Sequence, residues 1–326
     1  MDILNLIIDI MALLGIDLGG TKVAFALLDR DGNMRARESL SLDNRTGHEV
    51  GKLIAVTTAL KMSAAANEGD AVEAIGISVP GISRREKGTV WAPNIPGWED
   101  YPLLREVCTI AGEVPVIIES DRSCYISGEI WKGAARGCSD AIYLAVGTGI
   151  GAGITVNGEV LRGAHDIAGA IGWMALSRPF RSKYTFCGNF EYYASGEGIA
   201  RQAAQYLLKH DRYQGELRKG SGEKVTTHDV FAARSRGDIA AITIIDLAVE
   251  YWGMACANLV SLFNPEKIIF GGGVFGPATE LIPAIMQEAE KWAQPISIRQ
   301  VSFEPTALAG DAGVYGAGFL AMKHIR

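Results

Sequence analysis

Apolar residues in this chain fall into short runs separated by glycine and turn residues. Residues 13–18 (LLGIDL) and 23–28 (VAFALL) are two such runs, parted by Gly19-Gly20-Thr21-Lys22, and the second ends at Asp29-Arg30-Asp31-Gly32. Short apolar runs bounded by turn residues read as buried strands, so the stretch predicts two strands around a glycine turn. The pattern recurs in mid-chain as 141–146 (AIYLAV), Gly147-Thr148-Gly149 and an apolar segment 150–156. That segment closes at Asn157-Gly158, the favoured two-residue hairpin turn. Two halves of similar design are therefore expected.

Between them, VEAIGISVPG (72–81) and VPVIIESD (114–121) read as buried strands, and residues 49–66 and 122–135 have helical character. Further on, Asp238–Phe263 is apolar all round and predicts one long helix stopped by Asn264-Pro265, after which KIIFGGGV (267–274) is a strand entering a triple-glycine turn. Ala309–Arg326 has small residues at helical spacing and is expected to pack back on the first half. With the boundary at the helix after Asp121, the domains are 1–121 joined by 309–326, smaller, and 122–308, larger. The apolar start, MDILNLIIDIMALLGIDLGG, lacks a basic region and carries Asp2 and Asp9. It is expected to be an extension over residues 1–10 and not a signal or anchor, with Met11 as a candidate start.

Composition narrows the partners. Thirty-one Lys plus Arg against thirty-seven Asp plus Glu leave a formal charge of −6, which supplies no basic field for a nucleic acid or an anionic membrane. Thirty-nine glycines against eleven prolines suit a compact α/β chain with many tight turns. Five scattered cysteines, without a CxxC pair, point to a reduced, cytoplasmic protein.

Three glycine turns carry the candidate chemistry, because backbone N–H groups without side chains in front of them suit a polyphosphate. They lie at 19–20, 147–153 and 271–273, and the first is flanked by Asp17, Thr21 and Lys22. An Asp there can hold a metal-bound water while Thr and Lys reach phosphate oxygens. A Walker-type phosphate loop is excluded, since G-x-x-x-x-G-K-[ST] does not occur.

Taken in order, GIDLGGTK, GISVPG, APNIPGW, ESDRSCYISGE, AVGTGIGAGI, GAHDIAGAIGW, NPEKIIFGGGV and AGDAGVYGAG resemble the ROK family of bacterial sugar kinases, within the actin-like ATPase superfamily. The likeness spans residues 12–322. It implies an α/β fold of two ribonuclease-H-like domains, with ATP and sugar in an interdomain active-site cleft. It also implies a homodimer. The family's repressors carry an amino-terminal helix-turn-helix, for which a chain with GIDLGG at residue 15 is expected to have no room.

On this resemblance Asp17, Gly19, Gly20, Thr21 and Lys22 match the first phosphate motif, with Asp17 bearing on Mg²⁺ through water. Gly147, Thr148 and Gly149 match the second motif, and Gly271, Gly272 and Gly273 the adenosine-side turn. Asp17 also has a plain reading as a turn-capping carboxylate, and Gly271–Gly273 as a helix N-terminal turn. Asp121, at the carboxyl end of a strand, matches the catalytic Asp that would take the proton of the sugar hydroxyl. The alternative is that Ser120 and Asp121 cap a helix starting at Arg122. Pro80, Gly81 and Asn94 match positions lining the sugar pocket, Asn94 serving equally well as a turn residue.

The departures from the family bear on the acceptor. Ser120 stands where an Asn binds sugar hydroxyls, Ala170 replaces a sugar-binding Glu, and Trp173 replaces a His that contacts sugar and zinc. An indole can stack on a pyranose or lie in the core. All three family cysteine positions hold other residues, Cys187 falling between them, so no zinc is expected. Tyr184, Phe186, Phe190, Tyr192 and Tyr193 are expected to order the loop by apolar packing. Glu191 remains as the carboxylate for sugar recognition. The expected function is ATP-dependent phosphorylation of a hexose or hexose derivative, such as an amino sugar or glycoside. A non-catalytic sugar or nucleotide sensor on the same fold is the alternative.

Overall fold

The structure, a computed structural model, describes residues 11–218, 220 and 223–325; the expected extension 1–10 lies outside them. The chain forms two compact units, the first of Met1–Gly137, Val160–Ala168 and Ala307–Arg326, the second of Cys138–Glu159 and Gly169–Thr306.

Unit 1 is built on a five-stranded sheet of order β3-β2-β1-β4-β7, from β1 (Met11–Leu18), β2 (Lys22–Leu28), β3 (Met34–Ser41), β4 (Ala71–Val79) and β7 (Val116–Ser120). The first three strands meander antiparallel, while β1, β4 and β7 run parallel. A small hairpin, β5 (Ile82–Arg84) with β6 (Thr89–Trp91), lies beside it. Alternation along β1 sends Leu14 and Ile16 into one core and Leu13 into another. The first core is shared with α1 (Gly47–Asn67) and α2 (Leu103–Ala111) through Val50, Ile54, Leu103 and Val107. Helix α3 (Asp121–Lys132) follows β7 directly.

Unit 2 repeats the design with the order β10-β9-β8-β11-β12, from β8 (Ala141–Val146), β9 (Ile150–Val156), β10 (Glu159–Val160), β11 (Lys267–Gly271) and β12 (Ser302–Pro305). Its helices are α4 (Asn189–Ala194), α5 (Gly196–Lys209), α6 (Thr227–Ser235), α7 (Ile239–Phe263) and α8 (Ile282–Glu290). The Asp238 side chain caps α7, accepting from the Ala241 N–H, and Asn264 ends it in the left-handed conformation. This helix is long and apolar enough to cross a membrane by length and composition, yet Ala248, Trp252, Ala255 and Cys256 on it are fully buried.

The last helix, α9 (Ala312–His324), returns to unit 1 as its small residues suggest. Gly15 and Gly76 face each other across β1 and β4, and a Cβ on either would fall within 3.0 Å of the α9 backbone, at Val314 and Ala317. Gly128 of α3 and Gly316 of α9 make the matching approach between the two helices. Because α3 is packed on α9 in this way, the chain leaves unit 1 after Gly137 and not at Asp121.

Candidate active site

The carboxyl ends of β1, β4 and β7 open on one edge of the unit 1 sheet, the place where open α/β sheets bind ligands. Asp17 of β1 lies opposite Ser78 of β4, and the Ser78 hydroxyl donates to Asp17 Oδ1 at 2.6 Å. Gly313, in the first turn of α9, presses on the same carboxylate, where a Cβ would overlap it. Burial pushes the Asp17 pKa from 3.8 up to about 6; the negative charges of Asp121 and Asp311 add to this, while Ser78 and Lys22 oppose it.

This shift has a stability consequence. The folded chain holds the Asp17 proton more tightly than the unfolded chain, so ionisation weakens the fold progressively between about pH 4 and pH 6 and by a constant amount above that. Asp17→Asn removes the penalty, and at pH 7.5 it is expected to raise stability by up to about 3 kcal/mol. At pH 4, where Asp17 is already protonated, the substitution is neutral. Thermal denaturation at the two pH values checks this, and equal melting temperatures of parent and variant at pH 7.5 would refute it.

Asp121 is the first residue of α3, and the Ser120 side chain makes no capping bond. The capping explanation for this pair therefore does not hold for Ser120, and the helix begins one residue earlier than expected. Asp121 Oδ1 accepts the Arg122 N–H at 2.8 Å, and a quarter of the side chain is exposed. Burial raises its pKa, against the lowering effect of the Arg122 charge 4.0 Å away, the Arg122 N–H and the Ser120 hydroxyl. The Arg122 guanidinium donates to Ser120 Oγ at 3.2 Å and to the Gly81 carbonyl at 3.3 Å, tying Asp121's neighbour to the Pro80-Gly81 turn. Pro80 is buried, and Gly81 has φ +96° where a Cβ would strike the Trp91 carbonyl.

The first glycine turn closes by Gly19 N–H donating to the Lys22 carbonyl at 2.8 Å. Gly20, Thr21 and Lys22 are exposed. Asn94 sits in an exposed turn whose side chain comes against Gly20, a Cβ there lying 3.6 Å from Asn94 Cβ. Unit 1 thus brings Asp17, Asp121, Gly19–Lys22, Gly81 and Asn94 to the strand-end edge or its turns. Arg122, Ser78, Asp311 and Gly313 were not singled out from the sequence. The motif AGDAGVYGAG held the last two, but their approach to Asp17 depends on where α9 docks.

In unit 2 the parallel strands β8 and β11 lead into the other two turns. The Gly147 N–H donates to the Gly149 carbonyl at 2.9 Å, and a Cβ at Gly147 or Gly273 would meet nothing within 4 Å. Thr148 is exposed between them. Gly271 lies against the Tyr143 ring, and Gly272, at φ +89°, lies against the Val146 backbone, where a side chain would collide.

Glu191, in the first turn of α4, accepts the Ile150 N–H at 2.6 Å, and Gly149 and Gly172 pack on its carboxylate. Burial raises its pKa. One of its oxygens is therefore committed to the backbone. Trp173 is 57% exposed and does not belong to the core. The loop after it is ordered differently from expectation: Phe186 is 87% exposed and Phe190 is buried in unit 2. The cluster is Tyr184, Tyr192, Tyr193 and, from α7, Tyr251, with ring centroids 4.7–6.0 Å apart in successive pairs. Lys183 Nζ stands 4.2 Å from the Tyr192 ring centroid and donates to Tyr193 Oη at 3.2 Å. A long helix contributes Tyr251, which local sequence could not indicate.

The ROK family model matches residues 13–324. A glucokinase from Halalkalibacterium halodurans is 33% identical over 318 residues, which cover 95% of this chain and 94% of the relative. The crystal structure of a ROK hexokinase from Thermus thermophilus superposes with a TM-score of 0.78 at 29% identity, over 97% of this chain and 99% of that one. A ROK family glucokinase from Streptomyces griseus, in complex with glucose and AMPPNP, gives 0.74 at 28% identity over 96% and 99%.

Proposed function

The chain belongs to the ROK family, and from that premise we propose that it transfers the γ-phosphoryl group of ATP to a hydroxyl of a hexose or hexose derivative, with Asp121 as general base. The observation that carries the reading is a carboxylate whose pKa is raised by burial, in the first turn of the helix that follows β7 and on the same sheet edge as Asp17. A sugar hydroxyl is barely ionised at neutral pH, so its proton passes to Asp121 as the new O–P bond forms and ADP leaves. Arg122 holds Ser120 and Gly81 in place around the acceptor.

Gly19–Lys22 and the turns at Gly147–Gly149 and Gly271–Gly273 bind the nucleotide through backbone N–H groups, Thr21, Thr148 and Lys22. Mg²⁺ keeps most of its waters and needs only one or two protein carboxylates beside the phosphates. Asp17 fits that need, since it is a hard oxygen donor whose charge is opposed by burial and by Asp121 and Asp311. Bound with the nucleotide, Mg²⁺ would neutralise phosphate charge. Zinc has no role in this reading: a tetrahedral site needs four ligands, and Lys183 with the tyrosines orders the loop around Cys187. Trp173 offers its exposed face to the acceptor, and Glu191 its second oxygen. All five cysteines are free, in keeping with a cytoplasmic enzyme.

A coupled ADP-release assay over a sugar panel, with and without Mg²⁺, tests the reading. Turnover of at least one hexose or derivative that depends on Mg²⁺ is expected. If every sugar fails while ATP still binds, the chain is a sensor on a kinase fold.

A further inference from the structure

Within unit 1, the β5–β6 hairpin and the segment 163–167 enclose a cleft of about 720 Å³ that the reading above does not use. Arg84, Arg85, Glu86 and Lys87 line one wall, His165 and Asp166 the other. The hairpin is anchored to the strand that ends at the proposed base, through the Ser83 hydroxyl donating to the Ile118 carbonyl at 2.9 Å. The other wall docks on the hairpin, Asp166 Oδ2 accepting the Arg85 N–H at 3.3 Å.

Charge in this cleft is unevenly paired. Glu119, only 4% exposed, lies 2.9 Å from Arg162 Nε and 3.5 Å from Arg85 Nε. Two guanidinium groups approach the same Glu119 oxygen, and Arg85 is the more loosely held, with the longer contact and a side chain 51% exposed against 24% for Arg162. Arg84 is paired with Asp100, which Lys87 also influences; Arg85 and Lys87 are the more exposed cations of this wall, while Asp166 and Glu86 offer acceptors. Donors that match an oxyanion beside acceptors that match hydroxyls are a set suited to an acidic sugar. The cleft shares Asp166 with a water-sized recess lined by Ser83, Glu119, Ser120 and Ser123, which places it next to the residue preceding Asp121.

We propose that this cleft receives the oxyanion of an acidic sugar, a carboxylate or phosphate held by Arg85 and Lys87, with hydroxyls donating to Asp166. As a preference of the acceptor site this rests on the kinase reading, but binding of the oxyanion does not require transfer. Calorimetric titration of the full chain with glucuronate, glucose 1-phosphate and glucose tests it. The acidic sugars are expected to bind at least about tenfold more tightly than glucose, less so at high salt, and the tighter of the two identifies the oxyanion. Arg85→Gln is expected to lower the acidic-to-neutral affinity ratio by about 10- to 100-fold. Lys87→Gln, at the hairpin turn and away from Glu119, lowers the same ratio by a smaller factor and guards against misfolding of the first variant. Equal binding of acidic and neutral sugars, or an Arg85→Gln effect of the same size on both, overturns the proposal. If glucuronate binding depends on Arg85 while no sugar is phosphorylated, the cleft stands and the kinase reading fails.

Discussion

Asp121→Asn is expected to lower kcat for phosphoryl transfer by about 10²- to 10⁴-fold, the usual contribution of a positioned general base. The amide keeps the size of the carboxylate and its bond from the Arg122 N–H, so sugar affinity should change far less than kcat. The parent enzyme loses kcat as pH falls and Asp121 takes up a proton. Because burial raises its pKa, that acid limb lies above the ordinary carboxylate range, and the Asn variant should keep only the part that protonation of Asp17 contributes. Replacing Arg122 by Ala removes a lowering influence, so the limb should move to still higher pH. Rates measured from pH 4 to 9 for the three proteins decide the matter. An Asn variant with parental kcat would remove Asp121 from the chemistry.

The second large effect concerns folding. Helix α9 rests on unit 1 through backbone-to-backbone contacts that only glycine permits, with Gly316 on Cys124 of α3, and Gly15 and Gly76 of the sheet under Val314 and Ala317. Gly316→Val places side-chain atoms where the Cys124 carbonyl lies, and neither a helix backbone nor a sheet can yield locally. A loss of about 3 kcal/mol follows, with a fall in melting temperature of about 5 °C. Gly310→Val, where a Cβ would meet nothing within 4 Å, is the control and should change little. Because Gly313 of α9 also presses on Asp17, the Gly316 variant should bind ATP less well even below its melting temperature. Differential scanning calorimetry and nucleotide titration test both parts; a Gly316→Val protein as stable as the control would refute the packing account.

Local pattern determined much of this protein. Strands β1, β2, β4, β7, β8, β9 and β11, the long α7 and the closing α9 were legible because each has an apolar period or run bounded by turn residues. Strand β3 was not, since MRARESLS is largely solvent-exposed and stays extended through its ladder to β2. The short hairpin β5–β6 was missed too, having three residues per strand. The glycine turns, Asp17 and Asp121 could be proposed from the sequence because residue type and order point to that chemistry.

Tertiary structure alone decided how those residues are tuned. Asp17 owes its raised pKa to burial and to Asp121 and Asp311, residues distant in sequence. Arg122 reaches Gly81 only because the turn after β4 comes beside the end of β7, and Tyr251 joins the loop cluster only because α7 passes behind it. Arg85 is the looser of two partners of Glu119 because Arg162, from a later segment, holds the same oxygen more closely. Desolvation and charge pairing act through space. Sequence therefore determined which groups are present, and packing decided which of them are buried, paired or left facing a ligand.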